Sequence, residues 1–361
     1  MSSDLAAQVQ SILQEYEHAW SFDTRDLERP RAEQLLRQLV ERSEPQWRTR
    51  LEAEFFGNGP LGPLLEDASV QEIVVNGASE IFFEKEGTLQ QLNDGFLSSA
   101  TFKNFIDRLC AEARIKVDLA TPFADGRWRS FRIHLACGPL THCDHHLTLR
   151  RVAQNPWTLD GLRKVEWCSG RQLGVLHSLI QQRKNVLFVG PTGCGKTTVL
   201  GACLKELPIS ERVVIMEDTD ELPRPNAAST KLLTRSLGCA SLPEVCLADL
   251  VRQSLRMRPF RLVMGEVRGG EAKDLLLALA TGHSGSLGTI HASEARQALL
   301  RLEMLVQLGA PQWNVQAIRQ LIQLSVDAVV VCGFDGGHRR LLGVYKVAAL
   351  ESFGFLLEPM I

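Results

Sequence analysis

Eight residues near the middle of this 361-residue chain, Gly190-Pro191-Thr192-Gly193-Cys194-Gly195-Lys196-Thr197, constrain its fold more than any other stretch. They match G-x-x-x-x-G-K-[ST] at every fixed position. Glycines at this spacing let backbone N–H groups turn inward around phosphates. The lysine brings a point charge to the β- and γ-phosphates, and the hydroxyl suits Mg²⁺. The flanks supply the context that the loop needs. Val186-Leu187-Phe188-Val189 upstream is a buried-strand pattern. Thr198 to Leu207 downstream reads as a helix, whose positive end faces the same anion. The expectation is a strand–loop–helix that wraps a triphosphate with Gly190, Pro191, Thr192, Gly193, Cys194, Gly195, Lys196, Thr197 and Thr198.

The rest of the chain supplies a sheet for that loop. From about residue 166, helix and strand patterns alternate, which implies a mainly parallel sheet with helices on both faces. Helices are expected near Gly170 to Gln182, from Thr197, and near 293–307 and 313–324. Strands are expected at Asn185 to Val189, Arg212 to Met216 and Arg261 to Met264. Ser241-Leu242-Pro243-Glu244 reads as a capping box opening a helix toward Leu255, and Asp335-Gly336-Gly337 turns a last hairpin.

Upstream, residues 1–56 read as helical. Leu5, Val9, Ile12, Leu13 and Tyr16 recur at helical spacing, as do Leu35, Leu36, Leu39 and Val40. Ser21 to Pro30 reads as a connection, and a third stretch from Gln46 stops at Gly57-Asn58-Gly59-Pro60. Strands Glu72 to Val75 and Glu80 to Glu84 follow, joined at Asn76-Gly77. Phe102, Phe105, Ile106, Leu109 and Ala113 form one helix face. Phe131, Ile133 and Leu135, then Leu147 and Leu149, alternate as strands do, which sends Arg132, His134 and Arg150 away from the core. Asn155-Pro156-Trp157 marks a linker. The chain thus divides into a helical region (1–56), a smaller α/β domain (57–152), a linker (153–165) and a larger α/β domain (166–361).

Composition narrows the function. Forty basic residues against 42 acidic argue against gripping a polyphosphate backbone, so no direct nucleic-acid partner is expected. The apolar runs Leu275 to Ala280 and Ala328 to Cys332 fall short of the roughly 20 residues of a bilayer span. MSSDLAAQVQ has no basic start before an apolar stretch, so the chain is expected to stay in the cytoplasm. None of the nine cysteines forms a CxxC pair, which speaks against a zinc ribbon or a disulfide framework. His142-Cys143-Asp144-His145-His146 has ligand types for zinc but is too crowded for a tetrahedral site.

Hydrolysis needs acids beside the loop. Leu262-Val263-Met264-Gly265-Glu266 is an apolar strand ending in a carboxylate, suited to polarising the attacking water or holding Mg²⁺ through water. Glu217-Asp218-Thr219-Asp220-Glu221 also follows a strand, on the ligand side of a parallel sheet. Thr281 to His291 combines glycines and hydroxyls with His283 and His291, whose imidazoles suit sensing a γ-phosphate or passing that signal to a neighbour.

Together these stretches resemble the secretion ATPase superfamily, which powers type II and type IV secretion and pilus assembly. Four blocks stand in its order: GPTGCGKTT at Gly190 to Thr198, EDTDEL at Glu217 to Leu222, RMRPFRLVMGEVRGGEA at Arg256 to Ala272, and TGHSGSLGTIHA at Thr281 to Ala292. GNGPLGPLLEDASVQEIVVNG at Gly57 to Gly77 is similar to the tight-adherence (Tad, CpaF-type) pilus ATPases. AIRQLIQLSVDAVVVC followed by RRLLGVYKV is similar to the ending of that branch and of the type IV secretion ATPases. The four-cysteine module usual in type II secretion ATPases has no counterpart.

The resemblance implies a C-terminal RecA-like P-loop ATPase domain, over whose nucleotide the smaller N-terminal α/β domain closes. It implies a homohexamer using ATP and Mg²⁺, peripheral at the inner membrane through platform proteins that assemble pili or export protein. Catalytic roles fall to Glu266, Glu217, Lys196, His283 and His291, metal binding to Thr197 and Glu266, and phosphate contacts to Arg132 and Arg150. A Tad pilus motor is the first reading. A type IV secretion ATPase, a RecA-like nucleic-acid motor and a non-hydrolysing nucleotide-binding regulator are the alternatives. Two residues depart from the family. Cys194 stands where serine is usual, which exposes the loop to oxidation or alkylation, and Phe260 replaces an aspartate. Asp118 to Arg129 matches only loosely, so no role is carried onto it.

Overall fold

The computed structural model describes residues 29–152, 157–235, 243–351 and 354–361. The expected helix at Leu5 to Tyr16, most of the Ser21 to Pro30 connection and the Asn155-Pro156 linker residues lie outside this set. The described residues gather into two compact units that divide near Val152.

In the first unit, helices α1 (Arg29–Arg42), α2 (Pro45–Phe56) and the short α3 (Gly62–Glu66) precede a six-stranded antiparallel sheet. Its strands are β1 (Val70–Asn76), β2 (Glu80–Lys85), β3 (Thr88–Gln91), β4 (Phe123–Trp128), β5 (Phe131–Cys137) and β6 (His145–Arg151). The spatial order is β3-β2-β1-β6-β5-β4. Helix α4 (Ser99–Ala113) starts at a reciprocal cap between Ser98 and Thr101. Its Phe102, Phe105, Ile106 and Leu109 share one core with Ile73, Val75, Ile133, Leu135, Leu147 and Leu149. That face explains the period-2 alternation read in β5 and β6.

Helix α2 is tied to the start of α4 by Glu54. Its carboxylate is fully buried, accepts from the Leu97 N–H at 2.7 Å and from the Thr101 hydroxyl, and pairs with Arg50 at 2.7 Å. Arg151, at the end of β6, donates to the carbonyls of Val70, Leu64, Leu65 and Asp67 and lies over the Phe131 ring. This guanidinium holds α3 and its following turn against the sheet.

The second unit contains α5 (Leu159–Lys164), α6 (Gly170–Gln181), β7 (Val186–Gly190), α7 (Lys196–Leu204), β8 (Val213–Glu217), β9 (Thr230–Leu233), α8 (Leu247–Ser254) and β10 (Arg261–Met264). They are followed by α9 (Glu271–Ala280), β11 (Leu287–His291), α10 (Ala295–Gly309), α11 (Val315–Ser325), β12 (Ala328–Asp335), β13 (His338–Glu351) and β14 (Gly354–Pro359). Its sheet order is β14-β13-β12-β7-β11-β10-β8-β9. The six strands from β12 to β9 run parallel, and β13 and β14 extend the sheet antiparallel.

Alternate residues of the central strands feed two cores. Leu187, Val189, Leu262 and Met264 pack with α8, α9, α10 and α11. Val186, Phe188 and Val263 pack with α5, α6 and α7. Burial on both faces is why these strands read as nearly continuous apolar runs, with the buried Arg261 at the start of β10 as the charged exception.

Two local expectations differ from the structure. Pro243 and Glu244 are not helical: Val245 bridges Arg235, and α8 begins at Leu247 after Cys246, which forms the cap with Asp249. The bridge extends the chain past the point where the sequence pattern would start a helix, and Ser241 and Leu242 lie outside the described residues. Within the stretch read as linker, Thr158 caps α5, whose Leu159 and Leu162 are buried.

Candidate functional site

The carboxyl ends of β7, β11, β10 and β8 lie side by side, because parallel pairing brings Gly190 opposite His291 and Met264 opposite both Gly288 and Met216. The loop from Pro191 to Gly195 leaves β7 at this edge and enters α7 at Lys196. Gly190 could carry no side chain, since an added Cβ would stand 2.3 Å from the Cys332 carbonyl and 2.5 Å from the Cys194 sulfur. Gly195 opens the helix at φ +99°, a conformation that L side chains rarely adopt.

Lys196 is buried, and its ammonium donates to the Gly190 and Pro191 carbonyls, each at 2.9 Å. It also stands 3.4 Å from His291 Nδ1. Burial depresses its pKa. His291 Nε2 is 3.0 Å from Glu266 Oε1, and Glu266 Oε2 accepts from Arg268 at 2.5 Å. Desolvation, followed by the Lys196 charge, lowers the His291 pKa and favours neutral imidazole. Nδ1 then accepts from the ammonium, and Nε2–H donates to the carboxylate. Burial works against ionised Glu266, but the hydrogen bond and charge of Arg268, with the charges of His291 and Lys196, outweigh it and hold its pKa below the ordinary value. Arg268 reaches on toward Asp218 at 3.7 Å. The outcome is a line, Lys196–His291–Glu266–Arg268–Asp218, across one sheet edge, in which a neutral imidazole joins charged groups that alternate in sign. Arg268 is a member that the sequence reading quoted within a block but gave no role.

The backbone holds Glu266 in place. Thr289 donates to the Gly265 carbonyl at 2.6 Å, and the Val267 N–H donates to the Thr289 carbonyl at 2.9 Å. Glu217 lies buried beside this turn. A Cβ on Gly265 would meet its Cγ at 2.9 Å, so only glycine fits between the two carboxylates. Glu217 Oε1 accepts from the Leu222 and Glu221 N–H groups. Oε2 makes no hydrogen bond, and the Lys231 ammonium is 4.0 Å away. Burial pushes the carboxyl up to about 7.

His283 is not brought to this edge. It precedes β11 near Asn185, whose side chain binds the Ser286 N–H at 2.9 Å, and its own Nδ1 is 3.0 Å from the Ala278 carbonyl. A five-residue strand, about 13 Å of rise, separates it from His291.

Thr197 lies in the first turn of α7, half exposed. Its hydroxyl and the Glu266 carboxylate are hard oxygen donors at one sheet edge, a donor set that suits Mg²⁺. Beside the loop, Gly195 and Thr198 border a cleft of about 700 Å³ whose other walls include Trp157, Phe334, Arg339 and Arg340. The Leu341 N–H donates to the Trp167 carbonyl at 2.8 Å, which ties the β12–β13 hairpin to the floor of this cleft.

Arg132 and Arg150 belong to the first unit, on β5 and β6. Register places Arg132 opposite both Arg150 and Arg127, in one row across three strands, with Glu72 next to Arg150. Like charges directly opposite each other destabilise a sheet, and Glu72 beside Arg150 offsets part of that cost. Arg127 falls in the segment from which the sequence reading carried over no residue.

The family model described as type II/IV secretion system protein matches residues 54–332. A putative conjugal transfer protein of Mycobacterium tuberculosis is 32% identical over 309 residues, covering 84% of this chain and 87% of that protein. The type IV secretion system protein PtlH of Bordetella pertussis is 30% identical over 321 residues, covering 79% and 92%. Among solved structures, the ATPase DotB of Legionella pneumophila shares the fold with a TM-score of 0.61 at 20% identity, over 82% of this chain and 81% of that one. Among the described residues no helix is long and apolar enough to cross a membrane.

Proposed function

The chain belongs to the type II/IV secretion system family and is an ATPase of that class, and from this premise we propose that it is the motor of a type IV secretion machine. The observation that carries the reading is the line from Lys196 through His291 to Glu266 at the mouth of the phosphate loop. The names of the relatives, conjugal transfer and type IV secretion, favour this over the tight-adherence pilus motor. The likeness of Gly57 to Gly77 to pilus ATPases keeps that motor as the second reading.

In this proposal the triphosphate lies against the N–H groups of residues 190–197, and the Lys196 ammonium exchanges its loop carbonyls for β- and γ-oxygens. Thr197 and Glu266 would hold Mg²⁺, which would neutralise charge on those oxygens. Glu266, fixed by His291 and Arg268, orients the attacking water. Base and ribose enter the cleft beside Gly195 and Thr198, where Trp157 and Phe334 offer exposed rings for stacking. Arg132 and Arg150, with Arg127 beside them, approach the phosphates when the first unit closes in a hexameric ring. Glu217 supports the Glu266 turn from behind, and His283 has no contact with this line.

Phosphate release by the purified protein tests the chemistry. Glu266→Gln should retain MgATP and lose turnover, and turnover at the wild-type rate would remove its assigned role. In cells, Lys196→Ala should abolish export of the secreted substrate. Normal export with loss of pili would select the pilus reading.

A further inference from the structure

The phosphate loop carries a second chemistry at Cys194. Its side chain is fully buried beneath the loop and makes a thiol–thiol hydrogen bond with Cys332 on β12. Cys332 follows Val331, which pairs with Val189, so its strand flanks the last residue of β7. Gly190 is wedged between the two, with no room for a Cβ against either the Cys332 carbonyl or the Cys194 sulfur. We propose that Cys194 and Cys332 are a redox modification site, and that a disulfide between them switches the phosphate loop off. This regulation rests on the reading of residues 190–197 as the ATP cradle.

The environment fits the chemistry. The hydrogen bond from Cys332, with the charge of Lys196, draws the Cys194 thiol below its ordinary value, whereas Cys110, Cys168, Cys203 and Cys332 are all shifted upward. Thiolate is the reactive form. With a hydroperoxide as oxidant, Cys194 thiolate attacks one peroxide oxygen, and the O–O bond breaks. Sulfenic acid forms on Cys194, and hydroxide leaves from hydrogen peroxide. Cys332 sulfur then attacks that sulfenic sulfur, gives up its proton and expels hydroxide, which departs as water. Two thiols and one hydrogen peroxide become one disulfide and two waters.

Closing the contact to a bond of about 2.05 Å must move the loop. Cys194 lies between the two glycines that shape the cradle, and its sulfur abuts Gly190, whose carbonyl holds the Lys196 ammonium. A displacement at the sulfur therefore reaches the phosphate-binding N–H groups and the lysine together.

The full-length protein is treated with hydrogen peroxide, digested without reductant and mapped by mass, while phosphate release is followed in parallel. The expected result is a peptide joining Cys194 to Cys332, a loss of ATPase of at least tenfold, and recovery on adding dithiothreitol. Cys332→Ala, and Cys332→Val as a second filling of the site, should keep ATPase activity before oxidation and resist peroxide. Absence of the joined peptide, pairing of Cys332 with Cys203 instead, or equal peroxide sensitivity in the Cys332 variants would overturn the proposal. Peptide mapping needs no ATP turnover, so failure of the ATP reading would leave the link itself visible.

Discussion

Replacing Glu217 by glutamine isolates one buried charge. The side chain is 3% exposed, and burial drives its carboxyl from an ordinary 4.5 up to about 7, against the opposing pull of two N–H groups and Lys231. Between those values the native chain holds a proton that the unfolded chain releases. Stability from this group is therefore complete below about pH 4.5 and is lost as pH rises through 7. The shift corresponds to about 3 kcal/mol at pH 8. Glutamine keeps an oxygen for the Leu222 and Glu221 N–H groups but cannot ionise. Its amide nitrogen near Lys231 changes the offset between variant and wild type, not the pH dependence of their difference. A domain of this size moves in Tm by about 2–4 °C per kcal/mol. About 0.8 kcal/mol of this is already lost at pH 5, so the Tm of Glu217→Gln relative to wild type should rise by about 5–10 °C between pH 5 and pH 8 in thermal unfolding scans. An identical gap at both pH values would show that the native carboxyl is not held neutral, and the reasoning would fail.

Two further outcomes follow from neighbouring geometry. Arg261 is 2% exposed and binds Glu211 and the carbonyls of Gly285 and Ile180, so Arg261→Met leaves a carboxylate with Arg183 alone and should lower stability by about 3–5 kcal/mol in urea unfolding. Phe334→Ala removes a ring from the proposed nucleoside cleft and should raise the KM for ATP roughly fivefold, at about 1 kcal/mol for stacking, while inhibition by tripolyphosphate, which has no base, stays unchanged.

The parts legible in the sequence were those encoded by contiguous residues. The phosphate loop sits within eight residues, and β10 was readable because both its faces are buried, so Arg261–Met264 has no amphipathic ambiguity. Arg127 needed strand register: Arg132 stands opposite it across a tight turn and opposite Arg150 on β6, pairings that no local pattern states. Arg268 gained its place only when β8 and β10 lay side by side and brought Asp218 within reach. The two histidines of one motif looked equivalent because sequence spacing does not say which end of a strand each occupies. Cys332 is far downstream of the loop, and only the adjacency of β7 and β12 makes it a partner for Cys194.

The Lys196 ammonium already has two carbonyl acceptors. In the proposed ATP site, capturing a nucleotide is then a swap of neutral carbonyls for anionic phosphate oxygens, and the net gain is only the difference between the two sets of bonds. A lysine with loop carbonyls to return to can release an anion without leaving its own charge bare, which suits the proposed engine.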